Sequence, residues 1–111
     1  MAKRSLKLSW DLCMEQWDWI KAEIEAGNTD TIKNLKDRWM KGHEHERVFN
    51  NCFFCDYDHV AGARDCSKCP GRLVDPNFNC QKLAYDYADN PLAFHAELTR
   101  LYKIFLKESE A

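Results

Sequence analysis

The sequence of 111 residues predicts a mostly α-helical domain with three to four helices and one cysteine-rich loop. Apolar side chains recur at alternating spacings of three and four in several segments, which is the period of an amphipathic helix. Each of these segments begins and ends with residues that are typical of helix termini. We expect a single domain in which residues 1–50 form a helical hairpin and linker, residues 51–79 the cysteine loop, and residues 80–111 the C-terminal helices.

The first helix is predicted within the segment SWDLCMEQWDWIKAEIEAGN. Ser9 is the expected N-cap, and Gly27 or Asn28 is expected to end the helix in the left-handed conformation. Trp19 lies off the apolar face and is expected at its rim or at a contact point. Cys13 belongs to the apolar face and is therefore expected in the core. That face consists of Leu6, Trp10, Cys13, Trp17, Ile20 and Ile24.

The second helix is predicted within TDTIKNLKDRWMKG, with Thr29 or Thr31 as its cap and Gly42 at its end. The short connection between the two helices implies an antiparallel helical hairpin. The expected inward face consists of Ile32, Leu35 and Trp39.

Helical patterns return after Pro76. Asn90 and Pro91 are a strong start signal for the last helix, because asparagine caps and proline suits the first helical position. A preceding helical face is predicted from Cys80, Leu83, Ala84 and Tyr87. The last helix is expected to bury Phe94, Leu98, Leu101 and Phe105, with Ile104 beside them.

The four cysteines of NCFFCDYDHVAGARDCSKC, residues 51–69, have the spacing of a tetrahedral zinc site. A Cys-x-x-Cys turn lets both sulfurs face one ion while backbone N–H groups donate to them. The ten residues between the pairs suffice to turn the chain back, and Gly62 is a suitable pivot. We therefore expect a zinc-bound loop with one closed, structural metal site. The predicted ligands are Cys52, Cys55, Cys66 and Cys69.

Alternatives to this ligand set and metal stay open. Four cysteines also satisfy an iron–sulfur cluster, although the tandem spacing of cluster ferredoxins is missing. Cys80, eleven residues after Cys69, either replaces one of the four ligands or packs as a small buried side chain. Disulfides are disfavoured in a cytoplasmic chain, and no βαβ pattern surrounds either pair as a thioredoxin-like motif requires.

Composition limits the classes of function. The net charge of −2 comes from nine basic and nine acidic residues in 1–50 and seven basic and nine acidic residues in 51–111. Neither half has the basic field of a strong nucleic-acid binder. No apolar run reaches the roughly 18 residues that span a bilayer, and no signal peptide is recognisable. A cytoplasmic location without a membrane partner is expected.

The histidines do not indicate catalysis. Residues 43–46, His-Glu-His-Glu, follow a glycine and are typical of a solvated linker. His59 finds no vacancy beside four sulfurs, and His95 is expected to be exposed or at a rim. The sequence contains no Ser-His-Asp pattern, phosphate loop or HExxH motif, so we expect a protein that is not an enzyme.

The Trp-bearing segment LCMEQWDWI, the pairs CFFC and CSKCP, the later NC and the aromatic last helix resemble small zinc-binding proteins encoded by tailed bacteriophages. The resemblance runs over most of the chain, and its specific part is the cysteine block with Pro70. It implies an accessory role during infection, in the host cytoplasm, and no transferable enzymatic activity.

The leading expectation is a non-enzymatic, zinc-stabilised module that binds another protein, because tryptophan and tyrosine dominate interface energies. The phage resemblance suggests a host component as the partner. The alternative is a nucleic-acid-binding zinc protein, an accessory factor in transcription or DNA metabolism. Its contacts would come from Lys33, Lys36, Arg38, Lys41, Arg47, Arg64, Lys68 and Arg72.

Overall fold

A computed structural model describes residues 5–43, 52–62, 67–80 and 85–109, which form α-helices joined by turns and contain no strand. The predicted mostly α fold is confirmed. Helix α1 is the central element, because each of the other helices packs against it. The helices are α1 (Leu6–Glu25), α2 (Ile32–His43), α3 (Phe53–Val60), α4 (Pro70–Val74) and α5 (Pro91–Ser109).

Helix α1 begins one turn earlier than its sequence pattern predicts. Ser5 is the N-cap, and its Oγ accepts a hydrogen bond from the backbone N–H of Leu8 at 3.1 Å. The prediction of Ser9 was wrong: Ser9 lies inside the helix, where its Oγ donates to the carbonyl of Ser5 at 3.0 Å. That bond lets a serine hydroxyl be buried in the core face without losing its partner.

The C-terminus of α1 is confirmed at the predicted position. Gly27 has φ 94°, in the left-handed region that glycine adopts without steric cost. Its N–H donates to the carbonyl of Ile24, and the N–H of Asn28 donates to the carbonyl of Glu23, each at 3.0 Å. These two bonds form a Schellman motif, which ends the helix.

Thr31 caps α2, as predicted, because its Oγ1 accepts a hydrogen bond from the N–H of Asn34 at 3.2 Å. Gly42 does not end the helix, which continues to His43. Gly42 therefore lies inside the last turn of α2. The predicted inward face is confirmed by the burial of Ile32, Leu35 and Trp39.

The segment expected as a loop contains two short helices. Phe53 and Phe54 open α3 and are 1% and 3% exposed. Their rings pack against tryptophans of the hairpin, with centroid distances of 5.8 Å from Trp39 to Phe53 and 4.7 Å from Trp10 to Phe54. The cysteine segment is therefore part of the core and not an appendage to it.

Helix α5 starts as predicted, with the carbonyl of Asn90 accepting from the N–H of Phe94 at 2.9 Å. It runs antiparallel to α1. Phe94, near the start of α5, packs on Trp17 at 4.8 Å, whereas Phe105, near its end, stacks on Trp10 at 5.6 Å. The predicted face is confirmed by the burial of Phe94, Leu98 and Leu101 and the partial burial of Phe105.

The helix expected around Cys80 to Tyr87 falls partly on residues 81–84, which lie outside the described residues. The described residues on either side of 81–84 form turns. The N–H of Tyr87 donates to the carbonyl of Cys80 at 3.1 Å. The linker 44–50 also lies outside the described residues. No described helix has both the length and the apolar character that crossing a bilayer requires.

Candidate metal centre

Cys52 is the N-cap of α3 and forms a turn with Cys55. The backbone N–H of Cys55 donates to the Sγ of Cys52 at 3.5 Å, in place of the serine or aspartate oxygen that usually caps a helix. A backbone donor aimed at sulfur stabilises a thiolate, and thiolates are the form in which cysteines bind metal. The local geometry of the first pair is thus the geometry that its spacing predicts.

The two thiols of this turn titrate as a pair. A hydrogen bond from the Cys55 side chain lowers the pKa of Cys52 well below its ordinary value, and the positive charge of Lys36 acts in the same direction. The same hydrogen bond, together with burial, raises the pKa of Cys55. The two thiols therefore do not titrate independently of each other.

Lys36 lies inside the protein, although the sequence pattern placed it in a basic run on the surface. The residue is only 9% exposed. The ammonium group lies 4.8 Å from the ring centre of Tyr87 and 5.6 Å from that of Trp17. Aromatic faces offset part of the cost of burying a cation, and a nearby thiolate adds an attractive charge.

Cys69 is the N-cap of the short helix α4 and is 8% exposed. Pro70 occupies the first helical position, as expected for a residue without an N–H. The turn before Cys69 is tied to α3, because the N–H of Lys68 donates to Oδ1 of the buried Asp58 at 2.7 Å. This bond holds the turn before Cys69 against α3.

Cys80 interacts electrostatically with Cys55, and Cys13 interacts electrostatically with Cys52. Negative charge on Cys80 and on Cys69 contributes to the raised pKa of Cys55, after the hydrogen bond to Cys52 and burial. Cys13 is 3% exposed, and burial raises the pKa of its thiol, in agreement with its predicted core position. Cysteines from α1, α3, the start of α4 and the segment before residue 81 therefore influence one another's pKa.

The donor set fits zinc in its chemistry, since zinc prefers thiolate sulfur and a backbone N–H already stabilises one of these sulfurs. Within the part of the chain that the structure describes, however, no three His, Cys, Asp or Glu side chains lie close enough together to hold a metal ion. Cys66, the fourth predicted ligand, lies outside the described residues.

The remaining histidines have different surroundings. His95 lies at the rim, one of its two predicted positions: its Nε2 lies 2.6 Å from Oδ1 of Asp18, and its side chain is 13% exposed. This contact joins α5 to α1. His59 lies in the last turn of α3 and is partly exposed.

No model of a known protein family matches the chain, and no curated protein or solved structure matches it. The function of the chain has to be inferred from its own residues.

Proposed function

We propose that the chain is a non-enzymatic, zinc-stabilised helical module that binds another protein. The observation that carries the metal part of this proposal is the turn at Cys52, whose Sγ accepts the N–H of Cys55 at the start of α3. The ligands drawn from the sequence are Cys52, Cys55, Cys66 and Cys69. When bound, the ion would link the N-terminal ends of α3 and α4.

A metal link would add most stability where the helices are shortest. Helix α3 has 8 residues and α4 has 5, lengths at which an isolated helix does not persist in water. Zinc bound to small modules supplies on the order of 10 kcal/mol of coupled folding energy. Four thiolates leave no open coordination position, which suits a structural role and not a catalytic one. An iron–sulfur cluster remains the alternative occupant.

A protein partner is supported by the apolar side chains on the surface. Leu73 on α4 and Leu92 on α5 are 47% and 44% exposed, and Leu8 on α1 is 44% exposed. Trp19 is only partly buried. These side chains are available for contact with another protein, and tryptophan contributes strongly to such contacts. If the chain is phage-encoded, the partner would be a host component.

The nucleic-acid alternative loses support from the placement of its basic residues. Lys36 faces the core, and the Nε of Arg72 donates to the carbonyl of Phe78 at 2.9 Å. Arg38 lies 4.0 Å from a carboxylate oxygen of Asp30. Arg47 and Arg64 are not among the described residues. Lys33, Lys41 and Lys68 remain as exposed cations of the predicted set, and Arg38 is exposed beside Asp30.

Two measurements on one preparation test this proposal. Protein purified without added metal is expected to contain about one zinc per chain and to be colourless. Tagged protein recovered from its native host is expected to retain a stoichiometric protein partner. A brown protein that contains iron and labile sulfide would show that the site holds an iron–sulfur cluster and not zinc. Co-purification of nucleic acid alone, with binding that weakens steeply as salt increases, would establish the alternative.

A further inference from the structure

The first cysteine pair places its two sulfurs in contact at the start of α3. Cys52 is the N-cap of the helix and Cys55 is the third helical residue, the two positions whose groups meet in a capping box. The backbone N–H of Cys55 donates to the Sγ of Cys52 at 3.5 Å, and the Cys55 thiol donates to the same sulfur. A disulfide between these residues therefore needs a closer approach of two sulfurs within one turn and does not require the helix to unwind.

The turn between the two cysteines is held by the hydrophobic core. The two intervening residues are Phe53 and Phe54, and both are buried. The ring of Phe53 packs edge-on against Trp39. The ring of Phe54 packs edge-on against Trp10. Because the intervening residues are already fixed, the two thiols lose little conformational entropy when they are joined, and the fold favours closure of this pair.

Among the described cysteines, this pair alone combines partial exposure with a neighbouring thiol in the same turn. Cys52 and Cys55 are partly exposed, and both are free thiols in the structure. Cys13 and Cys69 are buried. Cys80 is partly exposed, but no second cysteine lies within a helical turn of it in the sequence. A small reagent that reacts with thiols can therefore reach the first pair and find a second thiol beside the one it attacks.

We propose that Cys52 and Cys55 are a redox-active dithiol, which small-molecule disulfides such as oxidised glutathione convert to an intramolecular disulfide. The thiolate of Cys52, which accepts the backbone N–H groups of Phe54 and Cys55, attacks one sulfur of the disulfide RSSR and releases one RS⁻. The Cys55 thiol then loses its proton and attacks the Sγ of Cys52, which releases the second RS⁻. Two protein thiols are thereby oxidised to one disulfide, and RSSR is reduced to two RSH, which take up both protons.

This inference goes beyond the proposed function and does not depend on a bound metal. A reversible disulfide is compatible with a reducing compartment, where the disulfides that form are mostly transient, catalytic or redox-sensing. Because a disulfide leaves neither sulfur free to bind an ion, oxidation would also release any metal that the pair helps to hold. The state of the pair would then follow the ratio of oxidised to reduced glutathione.

Tryptic mapping tests the pairing, because the peptide of residues 48–64 contains Cys52 and Cys55 and no other cysteine. The purified, reduced protein would be equilibrated with oxidised glutathione, its remaining thiols alkylated, and the chain digested. We expect peptide 48–64 to be two hydrogens lighter than its reduced form and to carry no alkyl group. The other cysteines lie on separate peptides, so any other disulfide within the chain would appear as two joined peptides.

Cys55→Ser traps the intermediate of the exchange, because no second thiol remains in the turn to displace glutathione. Its peptide 48–64 is expected to retain one glutathione as a mixed disulfide at Cys52. Cys13→Ser is the matched control, since it removes a thiol from another helix, and it is expected to form the disulfide as the unmodified protein does. A Cys55→Ser variant without bound glutathione would contradict the attack by Cys52.

Oxidation in urea shows what the fold contributes. Residues 52–55 and 66–69 have the same Cys-x-x-Cys spacing, so the unfolded chain is expected to form both disulfides to similar extents. The folded protein is expected to favour the first pair. Peptide 48–64 with both thiols alkylated, peptide 48–64 joined to another peptide, or equal oxidation of both pairs in the folded protein would overturn the inference. None of these results decides the proposed function, which the zinc content and the partner of the protein test separately.

Discussion

The ammonium group of Lys36 lies 4.8 Å from the ring centre of Tyr87, inside the protein. Its charge acts on Cys52, whose pKa is lowered first by the hydrogen bond from Cys55 and further by Lys36. A lysine on a helix otherwise rich in exposed cations thus contributes to the chemistry of a thiol.

Replacing Lys36 by methionine is expected to shift the alkylation of Cys52 to higher pH. Methionine has a similar length and no charge, so the substitution removes an interaction that favours the thiolate. The measurement is the pH dependence of iodoacetamide labelling of the metal-free protein, followed by mass spectrometry of the Cys52 peptide. Lys33→Met, an exposed change on the same helix, is the control. Equal profiles for both variants would show that the Lys36 charge does not reach Cys52.

Gly71→Ala is expected to destabilise the protein by about 1–3 kcal/mol, the usual cost of forcing an added methyl group into a packed contact. The new Cβ would lie 2.6 Å from the ring of Phe78, so the ring has to move. Urea unfolding followed by circular dichroism measures the change. In Gly42→Ala the added Cβ meets nothing within 4 Å, and alanine raises helix stability by up to about 1 kcal/mol. Both variants changing stability in the same direction would contradict the close contact.

Removal of zinc is expected to unfold α3 and α4 while the longer helices persist. Helices α2 and α5 pack directly on α1, so we expect most of their helicity to remain although Trp10 and Trp39 lose their contacts with Phe54 and Phe53. Helical circular dichroism should fall by about a fifth, the share of helical residues that α3 and α4 supply. Loss of the entire helical signal would show that the metal organises the whole core.

Cys55→Ser and Cys69→Ser are expected to reproduce the effect of chelation, with loss of bound zinc. Cys13→Ser is the contrasting variant. Cys13 is buried, so a serine hydroxyl there is expected to cost about 1–3 kcal/mol without releasing metal. Zinc content and unfolding curves, measured on the same samples, separate the two outcomes. Release of zinc by Cys13→Ser alone would place Cys13 among the ligands.

Tyr102→Phe is expected to cost about 0.5–1.5 kcal/mol at neutral pH, because it removes a hydrogen bond of 2.7 Å from the Tyr102 hydroxyl to Asp11. Burial raises the pKa of Asp11, but hydrogen bonds from Lys7 and Tyr102 outweigh it and lower the pKa overall. A carboxyl with a lowered pKa stabilises the fold above its unfolded pKa of about 4, and this contribution disappears as the pH falls through the folded pKa.

The cost of Tyr102→Phe should therefore shrink as the pH is lowered below about 4. Urea unfolding of the unmodified protein and the variant at pH 7 and in acid measures this difference. The phenyl ring keeps the packing of Tyr102 against Trp10, whose ring centres are 5.8 Å apart. A cost that does not change with pH would mean that the phenol contributes through packing alone.

The helices could be predicted where one face is continuously apolar and the caps are local. The caps at Gly27 and Thr31 depend only on the backbone within a few residues, so each was one of the two positions that the sequence pattern predicted. Ser5 and Ser9 both suit an N-cap, and the choice between them depends on which serine can be buried against the rest of the core. Local pattern carries no information about that burial.

The candidate site was harder to predict because residues beside its cysteines also pack in the hydrophobic core. Phe53 and Phe54 look like spacers between two ligands, but their rings fill the space between tryptophans of other helices. Lys36 lies four residues after Ile32 and three before Trp39, a spacing that suits the inward face, but the sequence analysis placed it in a basic run. Its charge suggested the surface, and only the tertiary contacts with aromatic rings explain why it is buried.

The antiparallel pairing of α1 and α5 brings the start of the first helix beside the end of the last one, where Trp10 stacks on Phe105 at 5.6 Å. A short linker across this end would join them, and the exposed connection 26–31 between α1 and α2 offers a place to open the chain. A circularly permuted protein that begins at α2 would keep every helix contact of the original. The same arrangement allows the whole domain to be inserted into a surface loop of a carrier protein.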